Sequence, residues 1–203
     1  VAAGSWVSAE QLVEAAWPED PPLRAPEQLA VLVSRLRAVV GTDRLEKHPA
    51  GYALRADWLD TEVLRRQVAA GEAALAAGDV ARALAHGREA VGLLAGPVLP
   101  EDDTDAVLEE RSAVERVAAR ARLITAEAAL RSGSPWEALE LASTCREEDR
   151  YDESALRLVL RGLAATSRTA VAVTTYLEAA EQLREELGTE PEAATQEVYL
   201  ELL

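Results

Sequence analysis

The chain has 203 residues, 49% of them apolar and 28% charged, and its 36 acidic and 21 basic side chains leave a formal charge of −15. A single cysteine, 11 glycines, 9 prolines and no run of about 18 uncharged apolar residues exclude a disulfide scaffold, a collagen and a membrane span. A global charge of this sign opposes nucleic acid, because backbone binding relies on Lys and Arg neutralising phosphates.

The opening Val-Ala-Ala-Gly-Ser-Trp has neither a charged start nor a long apolar stretch, so it is no secretory signal, and with no Met in the chain the true N-terminus is expected upstream of Val1. Ser8 is expected to cap a helix from about Ala9 to Ala16, which carries Leu12, Val13 and Ala16 at helical spacing and is ended by Pro18. After the proline-rich run Pro18 to Pro22 a second helix starts near Pro26, with Glu27 at its positive end. Its apolar spacing comes from Leu29, Leu32, Val33, Leu36 and Val40, and Gly41 is its C-cap. The period then changes: Arg44 to Lys47 and Tyr52 to Arg55 alternate on either side of His48-Pro49-Ala50-Gly51, the pattern of a small β-hairpin. Two helices followed by a hairpin is a winged-helix order.

From residue 61 onward the chain is rich in Ala, Leu, Glu and Arg, broken by short Gly, Pro and Asp turns. The breaks delimit about seven helices, near 60–77, 80–94, 104–131, 136–147, 152–165, 169–187 and 191–202. The stretch Leu130 to Leu139, with Gly133-Ser134-Pro135 at its centre, recurs in outline at Ala164 to Val173, an offset of 34 residues. That is the period of tetratricopeptide helix pairs. A third copy, Leu75 to Asp79 followed by Ala83-Leu84, lies 55 residues before the one that starts at Leu130. The fold class expected is therefore mainly α, a partial winged helix-turn-helix over 1–58 followed by a tetratricopeptide-like antiparallel helical repeat over 59–203.

No catalytic constellation is present. With only His48 and His86, no paired cysteines, no H-E-x-x-H and no Gly-rich phosphate loop, an enzyme, a metal site and a cofactor are not expected. Cys145 reads as a small buried hydrophobe, and its solitude fits a reducing, cytoplasmic setting. His86 reads as a surface or packing residue, and Glu101-Asp102-Asp103-Asp105 as a loop and helix start.

The residues with functional content are Ser34-Arg35-Leu36-Arg37 and the hairpin. Arg35 and Arg37 lie two apart, so on different flanks of one helix: one is expected on phosphate, the other supporting the helix or pairing with an acid. Lys47 and His48 at the wing are placed to touch backbone. The string Leu32 to Arg37, then Asp43-Arg44-Leu45 and Pro49 to Leu54, resembles the C-terminal winged helix of the antibiotic regulatory proteins of actinobacteria. The second half resembles the bacterial transcriptional activator domain that follows it there. Its ending, Tyr176 through Arg184-Glu185-Glu186-Leu187-Gly188-Thr189-Glu190-Pro191 to Leu203, is similar to that family's own ending.

The resemblance implies a transcriptional regulator that binds double-stranded DNA, with a helical domain used for self-association, a homodimer being one form, and for contact with the transcription machinery or further domains of the same chain. It implies no membrane partner. It also implies a small N-terminal sheet and first helix before Val1. Aligned on Ser34 to Arg37, it puts Glu27, Gln28, Ala30, Val31 and Leu32 toward the groove. The candidate DNA contacts are Gln28, Val31, Arg35, Arg37, Lys47, His48 and Arg55. Residues 1–60 carry a charge of −3 and residues 61–203 a charge of −12. The alternative is a scaffold whose winged helix packs against protein. A continuous positive strip around Gln28, Arg35, Arg37, Lys47 and Arg55 favours the first, and an apolar patch over Val31 and Leu32 the second.

Overall fold

The structure is a computed structural model and describes residues 6–94, 96, 98–100 and 104–203. The expected breaks at Ala95 and Pro97, and the acidic residues Glu101, Asp102 and Asp103, lie outside the described residues. Contacts divide the chain into two compact units, Val1–Val63 with Pro97–Val114, and Leu64–Gly96 with Glu115–Leu203.

In the first unit Ser8 opens helix α1 (Ala9–Ala16) through a reciprocal cap. The Gln11 N–H donates to the Ser8 hydroxyl at 3.1 Å and the Ser8 N–H donates to the Gln11 side chain at 3.0 Å, so two otherwise orphaned donors are satisfied. Helix α2 (Ala25–Val40) has Pro26 in its first turn, where a missing N–H costs nothing, and ends at Gly41. Strands β1 (Leu45–His48) and β2 (Gly51–Leu54) pair antiparallel, Leu45 opposite Leu54 and Lys47 opposite Tyr52. Val7 adds a third rung, exchanging two backbone hydrogen bonds of 2.9 Å with Tyr52. The hydrophobic pattern gives no sign of this rung, since a single residue has no period.

Leu29 and Val33 from α2, Leu45 from β1 and Tyr52 from β2 are buried together, with Leu12, Val13, Trp17 and Val40 packed against them. The core is small, a handful of side chains worth roughly 1.5–3 kcal/mol each, and only the Ala25, Leu29, Val33 stripe of α2 is fully covered. Leu32 and Leu36, expected on the core side, are 44% and 46% exposed. Arg37 ties the end of α2 to the hairpin: its Nε and Nη2 both donate to the Leu45 carbonyl, at 3.0 and 2.8 Å.

Seven helices follow among the described residues: α3 (Asp60–Ala76), α4 (Val80–Gly92), α5 (Asp105–Arg131), α6 (Pro135–Glu148), α7 (Glu153–Ala165), α8 (Thr169–Gln182) and α9 (Ala193–Leu202). The repeat seen in the sequence is one turn geometry used three times. Gly78, Gly133 and Ser167 all take left-handed φ, +76°, +82° and +62°. Each N–H bonds back to the carbonyl three residues earlier, and the next N–H reaches a carbonyl five residues back, Asp79 to Ala74, Ser134 to Ala129 and Arg168 to Leu163. This closes the orphan carbonyls of each helix end. In each copy the alanine five residues after the left-handed one, Ala83, Ala138 and Ala172, is fully buried.

Small residues let these helices approach closely. A Cβ on Gly87 of α4 would lie 2.3 Å from the Thr125 hydroxyl of α5, and one on Gly162 of α7 would lie 3.2 Å from the Leu139 Cβ of α6. Helix α6 packs on α7, and α7 in turn on α8 and α9. The helix expected over 169–187 is regular only to Gln182; Leu183–Leu187 widen into a π-helical turn closed by Gly188 at φ +67°. Within it Glu186 accepts from Arg150 at 2.6 Å and from the Tyr151 hydroxyl, and Arg184 makes a two-pronged pair with Glu190 at 3.0 Å. Pro191 is buried, the Glu192 N–H donates to the Glu153 carboxylate at 2.8 Å, and Arg157 donates to Glu192 and to buried Thr195. Glu192 and Thr195, just after the Arg184 to Pro191 signature, thus bond the start of α9 to α7.

Cys145 is buried with its Sγ 3.8 Å from the Ala119 carbonyl, and burial pushes its thiol from 9.0 up to about 11. His86 shares a 2.6 Å hydrogen bond with Gln67.

Three outcomes are expected. Ser167→Gly should stabilise the chain by about 1 kcal/mol and Gly133→Ala should cost about as much, since a side chain is strained at left-handed φ; equal urea midpoints for both variants and the parent would refute the shared turn. Arg37→Ala should cost about 1.5–3 kcal/mol, the worth of hydrogen bonds from a charged group, while exposed Arg35→Ala should stay within about 0.5 kcal/mol. For Cys145 the folded state keeps a proton that the unfolded state loses between pH 9 and 11, so its contribution to stability falls as pH rises through that window. Cys145→Ala should therefore lose less stability than the parent between those pH values, as read by urea unfolding at each.

Candidate nucleic-acid interface

On α2 the buried Ala25, Leu29 and Val33 define the inward side, so a rotation of about 100° per residue sends Glu27, Gln28, Val31, Arg35 and Ala38 outward. Gln28 and Arg35 are exposed and have no hydrogen-bond or ionic partner among the described residues. Val31 is 51% exposed and Val39, near the far end of this face, 84%. Gln28, Val31 and Arg35 follow at i, i+3 and i+7 and form one stripe. Arg37 lies on the other flank, on the Leu45 carbonyl.

The wing residues are engaged within the unit. Lys47 Nζ stands 5.9 Å from the centre of the Tyr52 ring, the residue directly across the hairpin. His48 accepts from the Ala50 N–H at 3.2 Å through Nδ1, and its ring lies 5.2 Å from that of Trp6. Arg55 pairs with Glu46 at 2.7 Å. Two further cations that the sequence did not single out are also matched to acids: Arg24 with Glu27 at 3.7 Å and Arg44 with Asp57 at 2.5 Å. The i, i+3 spacing of Arg24 and Glu27 is the one signal that could have shown this. Such exposed pairs contribute little stability, but they neutralise the charge that a phosphate would meet.

Of the seven candidate contacts, then, the geometry gathers Gln28, Val31 and Arg35 on one outward face, turns Arg37 inward, and sets Lys47, His48 and Arg55 on the hairpin. The cations do not form a continuous positive strip. At the start of α2, on the flank away from this face, α1 and α2 enclose an apolar groove of about 350 Å³ lined by Val13, Trp17, Pro21 and Pro26 and edged by Glu10 and Glu14. Among the described residues there is no cluster of three His, Cys, Asp or Glu able to hold a metal, and no helix long and apolar enough to cross a membrane.

Comparison with known proteins extends this picture. Regulatory protein AfsR of Streptomyces griseus is 28% identical over 202 residues, spanning 98% of this chain and 21% of that protein. Regulatory protein AfsR of Streptomyces coelicolor is 27% identical over 203 residues, spanning 98% and 20%. The chain therefore covers about a fifth of the length of these curated relatives. Among solved structures, Mycobacterium tuberculosis EmbR in complex with a low affinity phosphopeptide matches with a TM-score of 0.90 at 24% identity, covering 98% of this chain and 55% of that one. The C-terminal TPR-containing domain of a Plasmodium falciparum FK506-binding protein matches with a TM-score of 0.55 at 15% identity, covering 72% of this chain and 91% of that one. These likenesses show the fold: a helical chain with a small β wing, followed by a tetratricopeptide-like stack. Residues 59–203 match the model of the bacterial transcriptional activator domain, and on that match, which takes in well over half of the sequence, the chain belongs to the bacterial transcriptional activator domain family.

Proposed function

We propose that the protein is a DNA-binding transcriptional regulator in which residues 1–58 form the winged-helix reading head and residues 59–203 a helical protein-interaction domain. The observation that carries this reading is the outward stripe of α2, where Gln28 and Arg35, flanking exposed Val31, have no hydrogen-bond or ionic partner among the described residues. It sits on the second helix of a helix-turn-helix order, the element that enters a major groove. The relatives support the regulatory role, being named regulatory proteins over a region that includes this helix. In this reading Arg35 contacts phosphate, Arg37 positions the helix through the Leu45 carbonyl, and Lys47 reaches backbone from the wing. His48 and Arg55 flank it. The working place is where the DNA is, in the cytoplasm, and the helical domain meets the transcription machinery, other domains of the same chain or a second copy.

A second reading has its own observation. The paired cations and the exposed Val31, Leu32, Leu36 and Val39 suit a protein surface better than a phosphate backbone. It makes the winged helix a packing module of a scaffold that does not bind DNA.

One titration separates the two. The full chain is titrated against upstream duplex DNA at two salt concentrations. With Arg35 and Lys47 as the main phosphate contacts, affinity should fall with salt with a logarithmic slope of about −2. Arg35→Ala should weaken binding about fivefold or more on every sequence and reduce the slope by about one. Absence of saturable, sequence-selective binding would overturn the regulator reading in favour of the scaffold.

A further inference from the structure

Taking the DNA reading as its basis, we infer that α2 selects A·T-rich over G·C-rich half-sites, with Gln28 reading adenine and Val31 the thymine methyl.

In helix-turn-helix docking, the N-terminal half of the second helix meets base edges. From Ala25 to Ser34 this helix carries no Arg and no Lys, and those are the side chains that take the paired guanine acceptors O6 and N7. The nearest cation before that stretch, Arg24, stands 3.7 Å from Glu27 in an exposed ion pair, so each partly neutralises the other where a guanine or a cytosine amino group would need it. The outward groups left are a free amide at Gln28 and the branched methyls of half-exposed Val31.

An amide donates to adenine N7 and accepts from its N6 amino group at once, and an apolar side chain gains from the C5 methyl of thymine. Residues three apart on a helix stand about 5–6 Å from one another, within reach of neighbouring base pairs. Leu32, on the flank, can add a second methyl contact. Arg35 lies seven residues beyond Gln28, about 10 Å along the axis, and meets the strand backbone rather than the bases. Phosphate contacts of this kind set position without carrying sequence. The discrimination therefore falls to Gln28 and Val31.

The test is selection of duplexes from a randomised pool by the full chain, followed by titration of the recovered duplex with thymine replaced by deoxyuridine, or adenine by 7-deazaadenine. The expected result is an A·T-rich half-site, an affinity loss of severalfold with deoxyuridine, and about tenfold with 7-deazaadenine. Gln28→Ala should erase the second loss and Val31→Ser the first, both with unchanged circular dichroism because the two side chains are exposed. Recovery of a G·C-rich half-site, including one that depends on Arg24 or Glu27, or equal affinity for the thymine and deoxyuridine duplexes, overturns this inference and leaves the regulator reading standing. Recovery of no preferred sequence overturns both.

Discussion

The close approach of two backbones at Gly51 is the constraint on which the first unit rests. Gly51 sits at φ +133°, and a Cβ there would lie 2.0 Å from the Val7 carbonyl oxygen, a distance no side chain tolerates. Its absence lets Val7 and Tyr52 exchange two hydrogen bonds, which fastens the chain entering α1 to the hairpin. Tyr52 is then fixed against Leu29, Val33 and Leu45, and the Arg37 clamp on the Leu45 carbonyl completes the link from hairpin to α2. With so few buried side chains, the orientation of α2 depends on these directional contacts more than on apolar area.

The second unit uses a different economy. Its helices are rich in alanine and approach closely, so contact between backbones adds to a core built on large side chains such as Leu156, Leu160 and Val198. The ends of α3, α5 and α7 are closed by one and the same left-handed turn. In the family ending Arg184 pairs with Glu190 across the π-helical turn and Glu186 accepts from Arg150, while Glu192 and Thr195 just beyond it bond to Glu153 and Arg157 of α7.

Helices, hairpin and the repeat were legible because each has a local signature. Ser8 with Gln11, Pro26 with Gly41, and the turn of Gly78, Gly133 and Ser167 are written in a few neighbouring residues. What could not be read depends on contacts distant in sequence. The Val7 rung pairs residues 45 positions apart, and the exposure of Leu32 and Leu36 follows from how little of α2 the hairpin covers. The spacing of Arg35 and Arg37 puts them on different flanks, but the bond that turns Arg37 inward goes to the Leu45 carbonyl, eight residues on and in another element. Lys47 and His48 lie on β1 and Arg55 directly follows β2, while the acids that pair with Arg55 and Arg44 come from across the hairpin or beyond it.

Charge takes on a different meaning in this light. Most of the −15 belongs to the helical half of the chain, and around α2 Arg24, Arg44 and Arg55 are matched by carboxylates while Arg37 is held by a backbone carbonyl. Recognition on such a surface depends on the shape and hydrogen bonding of one helix face, and so on how firmly that helix is held. Amide hydrogen exchange on the parent chain and on Gly51→Ala measures this most directly. The account predicts that protection at Val7 and Tyr52 collapses in the variant and that protection at Leu29 and Val33 falls with it. Unchanged protection at Tyr52 and along α2 would contradict it, because the hairpin would then be held by something other than the Gly51 approach.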